Sequence, residues 1–168
     1  MKVRFEDPKN GFIGLKITYE RKELYVLGSY CPRNSLVDLA GTLKGLLEIP
    51  MESVVIWNEE PTEYEMRFSR TQQQISLTID CYPDSRRSIH HYDRVFTMQG
   101  SYETVCIPFW RALRDLQGRF SAEELTKRWH SDFPFDQLNQ LTAAIDFWKS
   151  ANPFEPIISH RTNVAADS

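Results

Sequence analysis

Between residues 53 and 82 the chain reads SVVIWNEEPTEYEMRFSRTQQQISLTIDCY, and three short apolar runs in it leave little freedom of fold. Val54-Val55-Ile56-Trp57 is β-branched and aromatic, too short for a helix and continuous, the pattern of a strand buried on both faces. Tyr64, Met66 and Phe68 alternate with Glu63, Glu65, Arg67 and Ser69, the pattern of a half-buried strand. Ile75, Leu77, Ile79 and Cys81 then alternate with Gln74, Ser76, Thr78 and Asp80, the cleanest period of two in the chain. The links at 58–62 and 71–73 are of hairpin length. A three-strand antiparallel meander is expected, with one face apolar and the other wet. Its apolar face needs a covering layer.

The flanking sequence supplies that layer and more strands. Residues 3–7 read as an edge strand. Ile13, Leu15, Ile17 and Tyr19, then Leu24, Tyr25, Val26 and Leu27, read as a hairpin. Ser35, with Asp38 three residues on, is expected to cap a helix whose stripe is Leu36, Leu39, Ala40, Leu43, Leu46 and Leu47. Gly41 and Gly45, four apart on it, suggest the close approach of another backbone. Val95, Phe96 and Met98 mark a further strand. Pro108 places the regular part of the next helix at about 108–117, after a distorted start at Tyr102 and before Gly118. Ser121 and Glu124 form a capping box ahead of Leu125 and Trp129, and a last helix over about 135–149 buries Leu138, Leu141, Ile145 and Trp148. The expected fold is α+β: an antiparallel sheet of about six strands with about four helices packed mainly on one face. Residues 1–150 form the domain, with 151–168 as a loose tail.

A chain of 168 residues with 41% hydrophobic and 26% charged residues can bury a core without staples. Its net charge of −3 argues against nucleic acid as a partner. No apolar run is long enough for a membrane span, and Met1 to Asp7 lack the apolar core of a signal peptide. Cys31, Cys81 and Cys106 lie far apart, which reads as reduced, mostly buried thiols in the cytoplasm.

Candidate chemistry is sparse. His90-His91, near Asp84 and Asp93, is the nearest approach to a metal cluster. Adjacent histidines in an extended loop point to opposite sides, which favours a solvated loop. Cys31 or Cys106 beside one of these histidines would make a nucleophile, but both sit among apolar neighbours that disfavour a thiolate. Glu63 and Glu65 share a strand face, as paired acid–base carboxylates must, and as a merely solvated face also would. Arg86-Arg87 is too small for a nucleic-acid footprint. No glycine-rich phosphate loop occurs, and no cofactor is expected.

The segment from Trp57 to Glu65 resists the bland reading. Trp57, Glu59, Glu60, Glu63, Tyr64 and Glu65 set an aromatic-rimmed acidic turn at the mouth of the meander, a docking surface for a basic protein partner. The alternative is that Trp57 is core and the glutamates only keep the turn soluble. Trp57, Glu60-Pro61, Glu63-Tyr64 and Arg67, followed by an alternating strand and late amphipathic helices, resemble a group of small bacterial proteins over about residues 25–148. Some of that group look similar to immunity proteins of bacterial toxin systems. The resemblance implies a cytoplasmic protein-binding module without a cofactor and carries over no catalytic residue. The rival expectation is a small hydrolase or metal-dependent enzyme using the His90-His91 loop.

Overall fold

The structure is a computed structural model that describes residues 1–151. Alternation turns directly into pairing at the N-terminus: β1 (Lys2–Phe5), β2 (Phe12–Tyr19) and β3 (Lys22–Ser29) form an antiparallel sheet in that order. Phe5 lies opposite Leu15 and Leu15 opposite Val26, and all three are buried. Asn10 and Gly11 make the first turn with positive φ, as expected of that pair.

α1 (Ser35–Glu48) buries its leucine stripe as expected, but its cap differs. Asn34 is the cap, its Oδ1 accepting from the backbone N–H of Val37. Ser35 is already helical and donates through Oγ to the carbonyl of Ile56 at 2.6 Å, tying α1 to the second sheet. Nor do the two glycines admit a backbone. The space beside Gly41 is open, and the Met51 side chain fills that beside Gly45.

The second sheet holds β4 (Glu52–Asn58), β5 (Glu63–Thr71), β6 (Gln74–Tyr82) and β7 (Asp93–Gly100), each antiparallel to the next. One row across it is Val55, Met66, Ile79 and Phe96, buried in every strand. The single sheet of about six strands expected from sequence is therefore corrected to seven strands in two sheets among the described residues, within an α+β fold. Period-two patterning fixes which face a residue takes, but not whether strands separated by a helix share a ladder. Where the two sheets meet, the fully buried Trp57 ring stands over Gly28 and would clash with a Cβ there.

After Ser101, α2 (Tyr102–Val105) is a single turn, and α3 (Ile107–Arg119) begins again with Pro108 in its first turn. Gly118 lies inside α3 rather than ending it. α4 (Ala122–Trp129) has both halves of the Ser121–Glu124 capping box. α5 (Phe135–Ala151) contains the first residue assigned to the expected tail, and the rest of that tail lies outside the described residues. Both sheets and all five helices of the described residues contribute to one continuous apolar cluster. Phe5 stacks on Trp57, Phe68 meets Phe109 edge-on, and the Tyr102 hydroxyl donates to the Leu43 carbonyl at 2.7 Å. Among the described residues, no helix is long and apolar enough to cross a membrane.

Candidate binding surface

Glu63 and Glu65 follow the expected alternation, yet neither faces water. Glu63 is 4% and Glu65 8% exposed, and Asp80 on β6, opposite Glu65, is 4% exposed. A carboxylate is buried only when it is paired. Arg67 Nη2 donates to Glu65, and the Arg87 guanidinium stands 3.5 Å from Glu63 Oε2. Arg94 binds Asp80 through two parallel bonds, Nε to Oδ1 at 2.8 Å and Nη2 to Oδ2 at 3.0 Å. The Asp80 hydrogen bonds and charge raise the Arg94 pKa, and those of Glu52, with the Glu65 charge, raise that of Arg67. The expectation of a wet sheet face is corrected: three arginines roof a row of acids. Their side chains, from half-exposed to exposed, carry the charge outward.

Trp57 is fully buried against Gly28 and Phe5, so it is core and offers no anchor to a partner. Tyr64 is half-buried opposite Cys81. Burial, with Cys81 and Glu59 close to the hydroxyl, pushes its pKa up to about 12. Of the six residues in the expected docking surface, only Glu59 and Glu60 project with the turn, Glu59 half-buried and Glu60 exposed.

That turn is clamped to the loop following β3, which sequence reading did not associate with it. Ser29 Oγ lies 2.7 Å from the Cys31 carbonyl and 3.2 Å from Glu60 Oε1, both of which can accept its proton, and Asn58 Nδ2 donates to the Cys31 carbonyl at 2.8 Å. Within the turn, Asn58 Oδ1 accepts from the Glu60 N–H and the Thr62 carbonyl from the Glu59 N–H, with Glu60 at φ 51°. Both loops contain a cis X-Pro peptide, Cys31–Pro32 and Glu60–Pro61. The far end of the first loop is equally fixed. Asn34 donates to Ser131 Oγ and the Asp132 carbonyl and accepts from Trp129 Nε1, while Tyr30 packs edge-on against Trp129. The result is a two-loop platform on which Tyr30, Cys31, Pro32, Arg33, Glu60 and Pro61 are exposed. No local pattern announces it, because the two loops lie some thirty residues apart and meet only when the sheets do.

The other candidates separate. His90 and His91 are exposed, and among the described residues no three His, Cys, Asp or Glu side chains come together as metal ligands. Asp84 is held below the usual carboxylate range by its Arg86 hydrogen bonds. The cysteines are free and occupy three settings rather than the mostly buried one expected: Cys31 exposed, Cys81 half-buried, Cys106 buried, where burial pushes its thiol pKa up. The chain matches no protein-family model, no curated protein and no solved structure.

Proposed function

We propose that the protein is a non-enzymatic binding module whose two-loop platform meets a protein partner, with neutralisation of a bacterial toxin as the specific form. One observation carries the reading: the Ser29–Glu60 and Asn58–Cys31 hydrogen bonds fix two exposed loops from different sheets as one surface before any partner arrives. Loops held in place lose little entropy on association, which is how a modest surface gains affinity. Glu59 and Glu60 give its tip an acidic edge suited to basic residues of the partner, which speed encounter. The immunity-like form rests on the sequence resemblance alone. The protein works in the cytoplasm, without a cofactor, nucleic acid or membrane.

Glu59→Lys is the discriminating variant, because Glu60 is hydrogen-bonded to Ser29 of the other loop while Glu59 has the Tyr64 hydroxyl of its own hairpin beside it. A partner captured from native lysate and purified should associate with Glu59→Lys about tenfold more slowly at low salt, the difference shrinking as salt screens it. The melting temperature should change little. Unaltered association at both ionic strengths removes the platform tip from the interface.

A further inference from the structure

Beside the clamp lies a cleft of about 50 Å³ between Pro32, Arg33, Ile56, Asn58, Glu63 and Arg87. It joins the loop after β3, the ends of β4 and β5, and the loop between β6 and β7. Two arginines, Arg33 and Arg87, line it. The Arg33 side chain has no hydrogen bond or ion pair among the described residues, and Arg87 has one charged neighbour, Glu63. Glu63 is 4% exposed, and its Oε2 accepts no hydrogen bond, facing Arg87 Nε at 3.5 Å instead. Arg87 is itself placed by its backbone, at φ 46° with its N–H bonded to the Asp84 carbonyl. Glu63 meets Arg87 by charge at this distance, and the two Nη groups of Arg87 donate no hydrogen bond among the described residues. The balance of two guanidiniums against one carboxylate makes the cleft positive by one charge.

We infer that this cleft receives a carboxylate of the protein partner, an Asp or Glu side chain bound between Arg33 and Arg87, with Glu63 as the positioning residue for Arg87. The chemistry selects that class of ligand. Planar guanidiniums match carboxylate geometry in paired hydrogen bonds, and the cleft has room for one small anionic group. Lysine or arginine from the partner is turned away by the same two cations, although it suits Glu59 some residues distant. The surface therefore asks its partner for an acid set beside basic residues, a narrower demand than net charge alone.

The inference rests on the binding-module reading, but its test needs no partner, so either can fail while the other stands. Acetate is titrated into protein carrying ¹⁵N-labelled arginine, and the Nε–Hε signals are followed. The expected result is a saturable shift of Arg33 and Arg87 with one shared dissociation constant, while the exposed Arg21 moves only linearly. Arg87→Ala should abolish saturation at Arg33. Glu63→Gln should leave the fold intact by amide signals yet weaken acetate severalfold, by releasing Arg87. Three outcomes overturn the proposal. Linear shifts at all arginines mean there is no site. Saturation by inorganic phosphate without saturation by acetate means a phosphoryl ligand. Tighter acetate binding in Glu63→Gln means that Glu63 only repels the anion.

Discussion

Gly28 has no room for a methyl group, because the Trp57 ring of the other sheet stands over it. With Trp57 Cε3 2.4 Å from a Cβ at this position, Gly28→Ala must displace a fully buried indole. We expect a loss of about 1–3 kcal/mol in a urea titration, typical of overpacking. Gly41→Ala is the control: its surroundings are open and its backbone helical, so a gain of about 0.5–1 kcal/mol is expected. Both glycines are visible in sequence, but their opposite roles are not, since Trp57 reaches Gly28 from another sheet. Cysteine chemistry divides in the same way. Burial raises the Cys106 pKa, so its stabilising effect is complete below the unfolded thiol value of about 8.5 and fades as pH rises through the folded value. Stability should thus decline above about pH 8.5, and more shallowly in Cys106→Ala. In the native protein a thiol reagent should modify Cys31 at once and Cys106 only on unfolding. Rapid native labelling of Cys106 contradicts its placement.

At the scale of elements, strands and helices were largely legible. The alternation of β5 and β6, the break forced by Pro108 and the Ser121 capping box all stand where the residues put them. Leu77, fully buried at the centre of the second sheet, should cost about 2–5 kcal/mol as Leu77→Ala, and a loss below about 1 kcal/mol places it outside the core. What the pattern misjudged was the polar side of the same strands. Glu63, Glu65 and Asp80 alternate as solvent-facing residues do, and only their arginine partners let them sit inward. Asp80 meets Arg94 across an irregular step in the β6–β7 register, and Glu63 meets Arg87 from a loop. Neither partner lies at a spacing that a single strand reveals. Trp57 was equally ambiguous: its strand identified it as buried, but only the neighbouring sheet removes it from the docking surface.

For the whole molecule, the consequence of two sheets rather than one is that their loops converge. The loop leaving β3 and the turn after β4 would sit apart along one long sheet. With the sheets joined through Trp57 and Gly28, Ser29, Cys31, Asn58 and Glu60 close into one surface. Loosening that surface should weaken association while leaving the core alone: Asn58→Ala removes its bond to the Cys31 carbonyl and should cost about 0.5–1.5 kcal/mol of folding stability. The claim that this platform is where a partner sits is tested most directly by photo-crosslinking. A benzophenone amino acid is placed at Glu59, at Arg33, or at Gln72 on the exposed β5–β6 turn, and each variant is irradiated in native extract. One and the same protein should be joined to positions 59 and 33 and not to 72. The same protein joined to position 72 but to neither platform position contradicts it.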